Sequence, residues 1–468
     1  MKVLIIFFYS FVQATVSTVL SLALALPLAH FFYRYKFPGK NFFISLAVLF
    51  CIMPTKLIVL CISSFYGVGG FVAIVLAHLL LNLPFSLYVL NLTYKKLDLT
   101  QLWIAQDLGA TPWQCYRDVV LPFLKNTLIS MAVILFLLHA ASFSIPLMLG
   151  GKWYHNTPEI MMSNLYNSGA SAQAFLYWVL RVIFFVPLIL LRTTFEGKKR
   201  CVSDIILKHR PVQYKISGHG IGWLLYSFFI VFFTLGPFGA LLVRACNAQV
   251  FAFLWRIFSC VTDVCLGIPV RVVVLNSMLL AVVSGVCSVL IAFAIGSFSK
   301  MVRTNYSAIF VFTIALLPLI FGSVGVGILF AWLSYGKVVS PFLIGAVCHA
   351  ILNYPFAYRV VVAQLDLYHP DIHKSAQALG ATHLKVVRTV TLPFVRSALV
   401  RAFCIAFGLS LTEVGAGSVL QSKMGLTMPM AIRMYRKAGM YNELIGLSMV
   451  LLVLVLCISY LFAKTVDN

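Results

Sequence analysis

Eleven stretches of this 468-residue chain are apolar for long enough to cross a bilayer core of roughly 30 Å as helices. They run over residues 4–32, 41–63, 70–91, 126–149, 173–191, 221–246, 273–298, 304–334, 341–358, 397–420 and 442–463. Helix is the conformation such runs must take, because lipid offers no partner to an unpaired backbone N–H or C=O. The runs are continuous rather than alternating, which excludes an outer-membrane barrel. Composition agrees: 62% of residues are hydrophobic and 10% charged, with a mean hydropathy of +0.99. A soluble domain carries roughly 45–50% and ~25%. The expected fold is an all-α polytopic membrane protein of about eleven transmembrane helices.

The net charge is +23, from 35 Lys and Arg against 12 Asp and Glu. In a soluble chain that balance points to nucleic acid. Here basic loops that fix orientation and meet anionic lipid account for it, so membrane lipid is the expected partner and nucleic acid is not. Loops 33–40, 94–125, 192–220, 299–303 and 359–397, with the C-terminus, hold 22 basic residues, and the opposite loops with the N-terminus hold 9. The richer side, C-terminus included, is expected in the cytoplasm. An odd number of helices then leaves Lys2 outside, against the charge rule. The expectation is that the assigned start omits an upstream helix or that the first half is naturally short. The 11 cysteines lie mostly inside apolar runs with no metal-ligand spacing, so they read as small hydrophobes and no metal is expected. Only Cys260 and Cys265 share a loop in which they can pair.

Residues 1–25 loosely fit a signal peptide ending in Ala23-Leu24-Ala25. The same segment, however, carries a face that recurs later. Ser10, Ala14, Ser17, Ser21 and Ala25 match Ser277, Ala281, Ser284, Ser288 and Ala292 at a constant offset of 267. A stripe of small residues on one helix face suits close helix packing, so this is read as a retained helix. A longer repeat follows at an offset of 271: His78, Asn82, Pro84 and Phe85 match His349, Asn353, Pro355 and Phe356. Leu108-Gly109-Ala110-Thr111 matches Leu379-Gly380-Ala381-Thr382, and Leu121-Pro122-Phe123 matches Leu392-Pro393-Phe394. The chain therefore divides into a first half (1–195), a basic cytoplasmic linker (196–220) and a second half (221–468). Six helices separate a residue from its repeat, so the halves are parallel, about an axis along the membrane normal.

The strongest repeated element lies in the cytoplasmic loops. A short helix ends at Gly109, where glycine suits a left-handed turn. Thr111 caps a second helix with Pro112 at its first position. That helix presents Trp113, Tyr116 and Val120 on one face; the second copy presents Leu384, Val387 and Thr391. Pro122 and Pro393 follow, where the chain is expected to turn back into lipid. One such elbow is an ordinary interfacial loop; two with identical spacing point to partner docking.

Ala105-x3-Gly109-x11-Leu121-Pro122 and Ala376-x3-Gly380-x11-Leu392-Pro393 resemble the EAA loop of ABC-importer permeases, E-A-A-x3-G-x9-I-x-L-P, with Val119 and Val390 at the Ile position. Trp103 and Lys374 stand at the Glu position, and Ile104 and Ser375 at the first Ala, so a polar contact to the ATPase is lost but not the elbow. The resemblance spans nearly the whole chain and reaches the fused, two-half permeases of thiamine and ferric-iron importers. Phe37-Pro38-Gly39, Leu76-Ala77-His78 with Asn82-Leu83-Pro84, and Leu149-Gly150-Gly151 lean toward the thiamine branch. The resemblance implies a type I ABC importer fold and a pathway subunit that is not itself an enzyme. It implies two copies of a separate ABC ATPase, which bind the ATP and magnesium, and an extracytoplasmic substrate-binding protein. Coupling to the ATPase would fall on Trp103, Ala105, Gly109, Ala110, Trp113, Leu121 and Pro122, and on Lys374, Ala376, Gly380, Ala381, Leu384, Leu392 and Pro393. The residues agree in lacking G-x4-G-K-[ST]; Gly151-Lys152 is followed by Trp153.

Polar groups within spans face a cavity or pair internally. His78 with Asn82, and His349 with Asn353, share a helix face at i, i+4. They line a pathway or hydrogen-bond between helices. Glu413, the one acidic residue well inside an apolar run, either lines the pathway or pairs with Arg401 or a backbone amide. The family resemblance favours the pathway. Lys56, Arg181 and Arg244 lie nearer span ends, where long basic side chains snorkel to the headgroups. A secondary transporter with two parallel halves is the rival reading, but it needs more coupling carboxylates than Glu413. A channel or a membrane-embedded enzyme has no supporting feature.

Overall fold

The computed structural model describes residues 2–36, 55–94, 97–151, 157–196, 214–215, 236–257, 262–301, 305–333, 340–365 and 375–467, apart from positions 66, 68, 98, 264 and 377. Lys374, Cys260, Lys152 and most of the 196–220 linker lie outside these residues.

The first half forms α1 (Lys2–Arg34), α2 (Thr55–Phe65), α3 (Gly70–Tyr94), α4 (Leu99–Asp107), α5 (Pro112–Cys115), α6 (Leu121–Ala140), α7 (Ser144–Leu149), α8 (Pro158–Asn167) and α9 (Ser171–Glu196). The second forms α10 (Gly236–Ala245), α11 (Ala248–Arg256), α12 (Val270–Met301), α13 (Asn305–Leu333), α14 (Pro341–Leu365), α15 (His383–Val386), α16 (Leu392–Thr412), α17 (Gly415–Met424), α18 (Met428–Lys437) and α19 (Tyr441–Asp467). Two-residue strands, β1 (Tyr35–Lys36) and β2 (Tyr214–Lys215), pair in parallel. Every one of the eleven apolar runs contains helix. Among the described residues seven helices are long and apolar enough to span a membrane, eight if α10 and α11 form one broken span, with shorter apolar helices at Ser171–Pro187 and Ile320–Leu333.

The repeat is structural as well as sequential. At an offset of 271, α3 maps onto α14 at both ends, and α5, α6 and α7 map onto the starts of α15, α16 and α17. The small-residue stripe does what its spacing implies. Ser10, Ala14, Ser17, Ser21 and Ala25 are all buried, as are Ser277, Ala281, Ser284, Ser288 and Ala292. With no bulky side chain between backbones, α1 packs along α3 and α6, and α12 packs along α14 and α16. Below the first stripe, Phe31, Phe32, Leu87, Leu90 and Tyr94 close a core onto Val120 and Leu124. Tyr354, Ala357, Tyr358 and Val361 do the same against Ala292 and Val395.

Two expectations change. The runs 126–149 and 397–420 are each two helices, broken at 141–143 and 413–414, the same place in the repeat. Nor do Pro122 and Pro393 end the elbow helix. The chain passes from α5 into α6 through a π-helical turn, Tyr116–Val120, and from α15 into α16 through a second, Val387–Thr391. In each, the amide after the turn bonds five residues back, Leu121 to Tyr116 and Leu392 to Val387. A proline one position later lacks an N–H and crowds the carbonyl four residues before it. One extra residue in the turn relieves that crowding without breaking the helix.

The chain forms two compact units that differ from the sequence halves. The first comprises Met1–Pro158 and Val182–Val243; the second comprises Glu159–Arg181 and Arg244–Asn468. A segment of the first half thus belongs to the second unit.

Candidate functional site

The elbows form as their residues dictate. Helix α4 ends with Gly109 at φ +82°, and Gly380 has the same φ of +82°. In each copy the amide beyond the glycine reaches back five residues: Ala110 N–H to the Ala105 carbonyl at 2.9 Å, and Ala381 N–H to that of Ala376 at 3.1 Å. These bonds satisfy carbonyls that a helix end leaves open. Thr111 then forms a complete capping box. Gln114 N–H donates to Thr111 Oγ1 (3.3 Å), and Thr111 N–H donates to Gln114 Oε1 (2.7 Å).

The face read from the sequence is graded in depth. Val120 is buried, Tyr116 half-buried against His30 of α1 (ring centroids 5.0 Å apart), and Trp113 stacks on Tyr116 while staying 66% exposed. Thr391 and Val387 repeat the inner two positions. Leu108 and Leu379, at the turn itself, are 83% and 88% exposed, and Trp103 and Ile104 are exposed beside the first. Leu121 and Pro122 are exposed, as are Leu392 and Pro393; Ala105, Ala110, Ala376 and Ala381 are half-buried. A rigid turn that holds large apolar side chains outward is a docking feature, not a core feature.

The histidine–asparagine pairs are brought into contacts between helices. His78 Nδ1 lies 3.2 Å from Ser17 Oγ and 3.3 Å from Gln13 Nε2, both on α1. Asn82 Nδ2 lies 2.8 Å from His139 Nε2 on α6. With Asn82 donating, the network assigns the His139 proton to Nδ1, which donates to Thr18 Oγ1 at 3.0 Å, and Thr18 Oγ1 in turn donates to the Ala14 carbonyl at 2.7 Å. The His78 and His139 rings stack at 4.5 Å. In the second unit the counterpart of His139 is Ser410, which takes His349 Nδ1 at 2.9 Å and Ser284 Oγ at 2.7 Å. Asn353 Nδ2 donates to the Ala406 carbonyl at 3.4 Å. His78, Asn82, His349 and Asn353 are all buried. Of the two readings, this geometry fits the hydrogen bond between helices. His139 and Ser410 were not singled out in the sequence, and Ser17 and Ser284 were read there only as packing residues; the offset of 271 from His139 to Ser410 was the available signal.

Glu413 sits at the break between α16 and α17. Its Oε1 accepts from the amides of Val414 (2.9 Å), Gly415 (2.7 Å) and Ala416 (3.4 Å), and Ser323 also bonds the carboxylate. The carboxylate thus caps a helix N-terminus, where amides and dipole favour negative charge. Of its alternative partners, the backbone amide is the one present; Arg401 instead donates to Gln364 Oε1 at 3.3 Å.

Two basic residues read as snorkelling do not snorkel. Lys56 is fully buried. Arg181 is fully buried too, in an ion pair with Glu159, and its Nε donates to the Ile320 carbonyl at 2.9 Å. Burial of both members explains the pairing, because a lone charge is not tolerated there. Arg244 is exposed, as expected.

Residues 236–466 match the family described as binding-protein-dependent transport system inner membrane component. Along nearly its whole length the chain is similar to the thiamine transport system permease protein of Brucella abortus, 24% identical over 479 residues that cover 96% of this chain and 84% of the relative. The thiamine transport system permease protein of Escherichia coli is likewise 24% identical, over 96% of this chain and 86% of its own length. A sulfate transport system permease protein of Salmonella typhimurium is 27% identical over 40% of this chain and 69% of the relative. With two helical repeats, two outward-facing elbows and relatives that match it almost end to end, the chain is a multi-pass, fused permease of the binding-protein-dependent ABC importers, resembling the thiamine permeases.

Proposed function

We propose that this permease carries thiamine or its phosphates inward across the inner membrane, with its C-terminus in the cytoplasm. An extracytoplasmic substrate-binding protein delivers the solute. Two copies of a separate ABC ATPase, which hold the ATP and magnesium, dock on the two elbows and drive the change of state. The observation that supports docking is the duplicated turn at Gly109 and Gly380, with Leu108, Trp113 and Leu379 held out of any core. Rigid elements of this kind transmit a rigid-body motion rather than absorb it. The similarity to thiamine permeases over 96% of the chain supports the choice of solute. Glu413, an acceptor for a cation at a helix break, is the proposed pathway residue.

Reconstitution tests this. The permease, its ATPase and the loaded binding protein in liposomes should take up labelled thiamine only with ATP inside the cytoplasmic-facing compartment. Uptake of labelled ferric iron but not thiamine overturns the solute and keeps the ABC reading. Uptake driven by an ion gradient without an ATPase overturns the ABC coupling.

A further inference from the structure

Helix α13 is interrupted at Gly322, whose φ of +67° and ψ of 162° lie outside any helix. A break inside an apolar helix frees carbonyls that lipid cannot satisfy. The Ile320 carbonyl is taken by Arg181 Nε, and the Arg181 guanidinium also pairs with Glu159. Both charged side chains crowd the break itself. A Cβ at Gly322 would collide with the Glu159 carboxylate and lie 2.6 Å from Arg181 Nη1. Trp178, less than a turn before Arg181 on α9, packs on Phe321 with ring centroids 5.1 Å apart. The residue that follows the break, Ser323, bonds the carboxylate of Glu413. One chain of contacts therefore runs from Glu159 through Arg181, the α13 break and Ser323 to the first turn of α17, all within the second compact unit.

The repeat shows that this is not inherited packing. Helices α8 and α9 map onto α18 and α19 at an offset of 270, with Gly169 and Gly439 both at positive φ between them, so Glu159 corresponds to Pro429 and Arg181 to Leu451. The other copy uses apolar residues at both positions, so helices of this shape pack without the charges. Replacing a buried ion pair by apolar residues is commonly neutral or stabilising, which makes stability a poor reason to keep it.

We propose that Glu159 and Arg181 are positioning residues: a charge clasp that fixes the break in α13 and, through Ser323, sets where the Glu413 carboxylate and the α16–α17 break stand during transport. The inference rests on the reading of Glu413 as a pathway residue. The decisive variant removes both charges and leaves apolar side chains of similar length, Glu159→Met with Arg181→Leu. In the reconstituted complex its maximal uptake of labelled thiamine should fall at least fivefold. The melting temperature, and the concentration of loaded binding protein that gives half-maximal rate, should stay at wild-type values. Wild-type maximal uptake overturns the clasp. A double variant that no longer assembles assigns the pair to folding and overturns it as well. Arg181→Lys is the second variant, because it keeps the charge but replaces the planar fork, whose Nε and Nη1 take the Ile320 carbonyl and Glu159 separately, by a single nitrogen; it should also lower the maximal rate, and a wild-type rate again overturns the proposal. Amide hydrogen exchange of the purified chain needs neither solute nor partner. Residues 320–325 and 414–416 should exchange at least tenfold faster in the double variant, with the rest unchanged, and equal exchange overturns the clasp whichever solute is carried. If wild type itself takes up no thiamine, the solute reading fails while the exchange result still decides the clasp. If exchange responds but Glu413→Gln transports normally, the pathway reading fails instead.

Discussion

At the scale of the residue, the charged groups have been placed by what can satisfy them. Glu413 spends one oxygen on three backbone amides and so holds a helix start where a span would otherwise run through. Glu413→Gln keeps an acceptor oxygen but loses the charge. Uptake should slow while the affinity of the binding protein for its solute is unchanged; wild-type uptake would make the residue a cap and nothing more. His139 is the hub of the first polar network. His139→Ala leaves the Asn82 amide without its ring acceptor in a buried site, which should cost about 1–3 kcal/mol of unfolding free energy. Thermal unfolding of the purified chain in detergent measures it, and an unchanged midpoint would show that Asn82 finds another partner.

At the scale of the element, the elbows are the best-determined part of the molecule because every link in them is local. Gly109 and Gly380 share the same left-handed φ, and each turn closes through a bond to an alanine five residues back. A β-branched residue in that conformation is strained by on the order of 1–3 kcal/mol. Gly109→Val with Gly380→Val should therefore re-aim Leu108 and Leu379 and uncouple ATP hydrolysis from uptake, while the binding protein still captures solute. Normal solute-stimulated hydrolysis together with normal uptake in the double variant would remove the elbows from the coupling path. The π-helical turns were the element least legible beforehand. Pro122 and Pro393 announce a disturbance, but whether a helix ends, kinks or widens there depends on what holds the next turn, here the buried Val120, Leu124, Thr391 and Val395.

At the scale of the whole molecule, the sequence halves and the compact units are not the same objects. Glu159–Arg181 precedes the linker in sequence but clusters with the second unit, where its ion pair, Ser163 and Asn167 meet partners on α13 and α17. Residues 1–195 expressed alone should consequently expose that segment and be degraded. Co-expression with residues 196–468 should restore both chains to the membrane. A first half that accumulates stably by itself would show that the segment needs no partner from the second half.

The amino-acid sequence by itself determined the helical membrane class, the duplication, the small-residue stripes and the elbows. Each of these is written in neighbouring residues: run length, spacing along one face, a glycine before a capping threonine. Only the tertiary structure decided which polar groups meet. Arg181 takes a carbonyl 139 residues away, and the Ser284–Ser410 bond spans 126. It also decided that apolar runs 126–149 and 397–420 each break in two. The physical reason is the solvent. In water the buried face of a helix is the apolar one, so periodicity reveals it. In lipid both faces are apolar, so hydropathy marks where a helix lies but not what it touches, and the few buried charges find partners that no local pattern names.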